Sequence, residues 1–181
     1  MTLDTTTLNL IQQIQNPTIT IFAKIISLIF DPITLTIIAI ATSIYLAAKS
    51  QKKQSILLAS TILITAAIIE ILKNILQVAR PPNPIITATG FSFPSGHVTT
   101  SVVFLGLIIY IFTKNNSAKT KIATVLIIFA VVLSRIYLRV HWLTDILAGL
   151  ILGLIILIIA IQIFNKIIFS KSNKPHNLSQ P

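Results

Sequence analysis

Apolar runs long enough to cross a hydrocarbon core recur along this chain, and the short breaks between them hold most of its charge. A segment that crosses roughly 30 Å of lipid must satisfy its own backbone polar groups, which leaves helices or a closed barrel. Period-two alternation of a membrane barrel is absent, so helices are expected. The composition agrees: 54% of residues are hydrophobic, 10% are charged and the mean hydropathy is +0.90. That is too apolar for an ordinary soluble domain. The chain therefore reads as all-α, a polytopic membrane helix bundle of about six transmembrane helices with an N-terminal amphipathic segment.

Residues 1–169 are expected to form one membrane-embedded domain, and residues 170–181 a polar cytoplasmic tail that includes an inert His176. Thr5 to Gln15 has apolar residues at helical spacing and reads as an interfacial helix that Pro17 ends. Ile19 to Phe30 is either a short first span or a surface-lying segment. Asp31-Pro32 is an N-cap followed by proline at the first helical position, opening a helix to Ala48. The next helix is expected over Ser55 to Ala79, with Glu70, Lys73, Gln77 and Arg80 near one face. Arg80-Pro81-Pro82 ends it. Pro94-Ser95-Gly96-His97 starts a helix to Thr113, another ends near Ser134, and the last runs from about His141 to Phe169.

The net charge of +10 does not indicate nucleic acid, because the lysines lie between or after the apolar runs rather than on an amphipathic face. They act instead as topogenic signals. Lys49, Lys52, Lys53, Lys114, Lys119, Lys121, Lys166, Lys171 and Lys174 all fall on one side of the expected bundle. The positive-inside rule makes that side cytoplasmic and the other extracytoplasmic. The N-terminus has neither the basic start nor the cleavage site of a secretory signal, so no removal is expected. The chain has no cysteine, which excludes disulfides, thiolate chemistry and cysteine metal sites.

Ionisable residues that sit between apolar runs are costly there and mark function. Lys73, Arg80, Arg135 and His97, with backbone N–H groups of Ser95, Gly96 and His97 at a helix N-terminus, would make a tetrahedral-anion site suited to phosphate. Gly96 permits close approach, and the Ser95 hydroxyl can donate to the anion or cap the helix. His141 and Asp145 are four apart, so the carboxylate can hold one ring nitrogen and leave the other free to attack phosphorus. His97 would protonate the leaving oxygen and later activate water. Glu70 is read as a partner of Lys73 or a hydrogen-bonding group of the bundle rather than a base, with a substrate contact as the further reading, and Arg139 as a snorkelling side chain or a second phosphate contact. Tyr137 and Trp142 fit an interfacial aromatic belt. Gly149 and Gly153 permit close helix packing and could mediate a homodimer. Asp4 and Asp31 fall outside the constellation, leaving too few carboxylates for a two-metal site.

Lys73, six residues, Arg80-Pro81, then Pro94-Ser95-Gly96-His97, then Ser134-Arg135, five residues, His141, three residues, Asp145: this three-part pattern resembles the signature of the type 2 phosphatidic acid phosphatase superfamily. The resemblance covers Lys73 to Asp145. It implies a six-helix membrane phosphatase with no metal or other cofactor, His141 as nucleophile, Asp145 as its orienting partner and His97 as general acid. Lys73, Arg80, Ser95, Gly96 and Arg135 would bind the phosphate. Implied substrates are lipid phosphates or diphosphates taken from the bilayer: polyprenyl diphosphate, phosphatidate or phosphatidylglycerophosphate. Phosphotransfer to another acceptor, vanadate-dependent peroxidation and a transporter or channel are the competing functions. A transporter predicts internal repeats and charges at mid-bilayer rather than at one end.

Overall fold

Side-chain caps set the starts of two helices in the computed structural model, which describes residues 3–113 and 117–172. Seven helices and no strands occur among the described residues: α1 (Leu3–Gln13), α2 (Pro17–Ile29), α3 (Pro32–Ala48), α4 (Lys52–Leu76), α5 (Gly96–Phe112), α6 (Ala118–Tyr137) and α7 (Leu143–Ser172). Asn16 accepts the Thr18 N–H at 2.8 Å and Asp31 accepts the Ile33 N–H at 2.9 Å, each followed by proline at the first helical position. These side chains satisfy donors that have no partner inside the helix.

The centre of the bundle is α5, which packs on α3, α4, α6 and α7. Gly149 and Gly153 let α7 approach it closely: a Cβ at Gly149 would lie 3.0 Å from Ser95 O, and one at Gly153 2.9 Å from Val102 Cβ. The small-residue face is thus used within the chain, against α5, and is not free to pair with a second copy. Leu35, Leu46, Leu58, Ile62, Val103 and Leu107 fill the core beside α5, whereas Ile37, Ile64, Leu126, Phe129 and Ile159 face outward. Outward isoleucines are what a lipid-facing surface requires, and the buried charged and imidazole groups Arg135, Arg139, His141 and Asp145 all fall between the end of α6 and the first turn of α7.

Helices α4, α6 and the Leu143–Ile168 part of α7 are long and apolar enough to cross a bilayer, α2 and α3 pass that test together as a pair bent by 41°, and α5 is shorter. Ile19 to Phe30, read as either a short span or a surface-lying segment, falls within α2 and its C-cap, and α2 passes the test only together with α3. Asn16 at the start of α2 bonds the Tyr137 hydroxyl, and Ser27 near its end bonds Arg135. Both ends of α2 are therefore tied to the last turn of α6.

Three expected boundaries also shift. Helix α4 stops at Leu76 because Gln77 takes left-handed backbone, φ 48°, with its N–H on Lys73 O. Helix α6 continues to Tyr137, and α7 begins after His141 and runs through Ser172, so residues 170–172 are helical rather than tail. Lys114, Lys174 and His176 lie outside the described residues. Tyr137 is no belt residue: it is 5% exposed, and its hydroxyl accepts the Asn16 N–H at 2.8 Å, donates to Asn16 O at 2.9 Å and lies 3.1 Å from Thr20 Oγ1.

Candidate active site

A cavity of about 540 Å³ opens where the ends of α4, α5 and α6 meet the α2–α3 junction and the 77–95 segment. Lys73, Arg80, Gly96, His97, Arg135 and His141 all line it, as do Asp31, Glu70 and Thr100. Three cationic side chains and two imidazoles from segments far apart in sequence thus meet in one space.

The route by which Arg80 arrives differs from the helical face expected for it. Once Gln77 breaks α4, the chain crosses the cavity mouth as an irregular segment. There the Arg80 guanidinium organises it, with Nε donating to Gly90 O at 3.1 Å, Nη1 to Val140 O at 2.7 Å, and Nη2 to Thr89 O at 2.9 Å and Phe91 O at 3.2 Å. A guanidinium has five N–H donors, so one remains for a ligand. Burial lowers the Arg80 pKa and the Asp145 charge acts the other way. Trp142 Nε1 donates to Ala79 O at 2.7 Å, and Ser92 Oγ to Val78 O and Ala79 O at 3.1 Å each. Trp142 is thus a tether between the first and third blocks of the pattern. Gln77 faces out and bonds Asn74 O.

The N-terminus of α5 is seated on α7, because the Ser95 N–H donates to Asp145 O at 3.1 Å. That bond removes one of the three backbone donors expected for an anion and leaves those of Gly96 and His97 in the first helical turn. The Ser95 hydroxyl does not cap α5: its Oγ is buried without a partner, as is Nε of Arg135. Arg135, 3% exposed, is held by Nη1 on Ser27 Oγ. Buried, unpaired donors of this kind are uncommon and are suited to receive an anion.

His141 and Asp145 form the expected pair. Nδ1 lies 3.3 Å from Asp145 Oδ2, which also accepts the Trp142 N–H at 2.9 Å. A carboxylate only accepts, so Nδ1 carries the hydrogen and the Nε2 lone pair is free. Burial pushes the His141 pKa down to about 4, against the opposing effect of Asp145, so the ring is neutral near pH 7.

Glu70 and Arg139 each admit more than one reading from sequence, and for Glu70 the hydrogen bond within the bundle is the one seen. Glu70 lines the cavity, but its Oε1 accepts the Asn74 amide at 3.0 Å and makes no ion pair with Lys73 among the described residues. Arg139, 9% exposed with φ 56°, is absent from the cavity lining.

Sequence reasoning missed both aspartates it set aside. Asp31 lines the cavity with Oδ2 3.5 Å from His97 Nε2. An acidic residue at the end of an apolar run was a usable signal. Asp4 accepts the Thr144 N–H at 3.0 Å and its hydroxyl at 2.9 Å, so α1 caps α7 from outside. No local pattern marks such a bond, which spans 140 positions.

The PAP2 superfamily profile matches residues 54–169. Phosphatidylglycerophosphatase B of Bacillus subtilis (strain 168) is 34% identical over 94 residues, 48% of this chain and 46% of that protein, so the match spans about half the length of this curated relative. The crystal structure of the first transmembrane PAP2-type phosphatidylglycerolphosphate phosphatase, from Bacillus subtilis, superposes with TM-score 0.77 at 23% identity, covering 96% of this chain and 87% of that one. Aquifex aeolicus LpxE gives TM-score 0.72 at 22% identity, covering 90% of this chain and 96% of that one. At these identities the two structures speak for the fold.

Proposed function

The chain belongs to the PAP2 superfamily, and from that premise we propose that it is a membrane-embedded lipid phosphatase that works through a phosphohistidine without a metal. The observation that carries the proposal is the convergence of Lys73, Arg80, Arg135, His97 and His141 on one cavity, with His141 held from behind by Asp145.

The phosphate oxygens meet Lys73, Arg135, the remaining Arg80 donor and the N–H groups of Gly96 and His97; the Ser95 hydroxyl is buried and unpaired beside them but does not line the cavity. These fixed positive groups stabilise charge as it builds on the equatorial oxygens. His141 Nε2 attacks phosphorus as the bond to the leaving oxygen breaks, and that oxygen takes a proton from His97. His97 then removes a proton from water, the water oxygen attacks the phosphohistidine, and the P–N bond breaks to restore His141. Asp145 stays ionised throughout and balances the charge that His141 acquires.

A lipid fits better than a soluble phosphate because Ile33, Ile69 and Ile86 line the cavity beside the cations, and the helices leading away face lipid. Polyprenyl diphosphate, phosphatidate and phosphatidylglycerophosphate are the substrates proposed. The printed name of the Bacillus relative favours the last as the first to assay. Transfer to another acceptor is chemically open to the same phosphohistidine. A transporter fits less well, since the charges cluster at one end of the bundle. Lys49, Lys52, Lys53, Lys119, Lys121 and Lys166 lie at the end opposite the cavity, which supports an extracytoplasmic site in a multi-pass cell-membrane protein.

Phosphate release from purified protein and a panel of these lipids, with His141→Ala as blank, tests the proposal. Release is expected to persist in EDTA, and its complete loss there would favour a metal mechanism instead.

A further inference from the structure

Asp31 occupies a position that the three-part pattern does not include. It sits at the junction of α2 and α3, where Oδ1 accepts the Ile33 N–H at 2.9 Å and so caps α3. Its other oxygen, Oδ2, is 3.5 Å from Nε2 of His97, on the wall of the same cavity. Capping needs one oxygen only. The second is aimed at an imidazole that has no carboxylate of its own on α5: Asp145 is engaged with His141, and Glu70 with Asn74.

We propose that Asp31 is the positioning carboxylate of His97, so that the site holds two imidazole–carboxylate pairs, one for the nucleophile and one for the acid–base group. This inference rests on the phosphatase reading above. Its physical basis is that a fixed negative charge beside Nε2 keeps a hydrogen on that nitrogen, facing the cavity. The distance exceeds the ordinary N–H···O range of about 2.7 to 3.2 Å, so the contact orients the ring without locking it. In the first step His97, entering as the imidazolium, gives its Nε2 proton to the leaving oxygen as the P–O bond breaks, and is left neutral with the Nε2 lone pair facing the cavity. In the second, Nε2 accepts a proton from water as the P–N bond of the phosphohistidine breaks. Asp31 remains ionised in both, and its role ends at holding the ring.

Asp31→Asn separates the two duties, because asparagine caps a helix as well as aspartate but carries no charge. The expected result is a loss of roughly 10- to 100-fold in kcat/KM on an alkyl phosphate, with little loss on p-nitrophenyl phosphate, whose leaving group needs no proton. A steeper dependence of log kcat/KM on leaving-group pKa is the signature, and Asp31→Glu should recover part of the loss. An equal loss across leaving groups, or none, would overturn the inference. If the parent releases phosphate and His141→Ala does not, the phosphatase reading stands whatever Asp31→Asn does. A readout free of turnover is the ring nitrogen NMR spectrum of His97. The tautomer balance should shift in Asp31→Asn, and an unchanged spectrum also overturns the inference, even in a protein that proves not to hydrolyse phosphates.

Discussion

The two histidines of the cavity are supported in different ways. His141 and Asp145 are four residues apart, 2% and 0% exposed at their side chains, and share Oδ2 with the Trp142 N–H. His97 and Asp31 come from different helices, are 14% and 35% exposed at their side chains, and stand slightly farther apart. A nucleophile must meet phosphorus in one geometry, and a buried pair built within a single turn supplies that. An acid–base group serves a leaving oxygen and then a water at different positions, which a looser, partly solvated pair permits.

Removing the nucleophile is the harshest way to break this contrast. His141→Ala should reduce phosphate release by on the order of 10⁴-fold or more, with no labelled phosphoprotein after acid quench. Release at the parental rate would end the proposal for His141. Next in size is Asp145→Asn. Loss of the buried acceptor lets Nδ1 lose its hydrogen and favours the wrong tautomer, with an expected cost of roughly 10²- to 10⁴-fold in kcat. A smaller effect than that of Asp31→Asn would invert the comparison.

A pH series sharpens it further. As the proposed nucleophile His141 must be neutral to attack, and burial lowers its pKa from 6.5 to about 4. Competence is therefore retained as pH falls and lost only on passing through about 4. Between pH 7 and pH 5 an ordinary imidazole base would lose about 25-fold in rate. Here less than a twofold loss is expected in kcat/KM from this group, after allowance for the substrate's own ionisation. An acid limb centred near 6.5 would contradict the buried setting of His141. The mildest probe is Gly149→Ala, one turn beyond Asp145. Its Cβ would meet Ser95 O at 3.0 Å and Thr99 Oγ1 at 3.1 Å. The resulting separation of α7 from α5 should cost about 1 to 3 kcal/mol, read as a lower Tm in detergent, and disturb the Ser95–Asp145 bond.

Much of the bundle was legible from residue order because the signals are local. Asp31-Pro32 marks a helix start by capping and by the fixed φ of proline, and α3 and α5 begin where expected, although Ser95 makes no side-chain cap; Pro17, expected to end the first helix, also opens the second. The spacing of His141 and Asp145 was legible for the same reason, even though His141 precedes the helix rather than beginning it. Gln77 was not: a left-handed residue in an apolar, helix-favouring stretch is stabilised by the loop that Arg80 and Trp142 hold down, not by its neighbours.

Residue order alone was enough to read the chain as membrane-crossing helices, to set the loop lysines on one side of the bundle, and to group Lys73, Arg80, Arg135, His97 and His141 as one candidate site. Each follows from composition or from spacings within a few turns. It took the folded chain to tie both ends of α2 to the last turn of α6, to bind Arg80 chiefly to carbonyls, to set Asp4 on the start of α7 and to turn Asp31 toward His97. Those contacts join positions far apart in the chain, and packing alone brings them within reach.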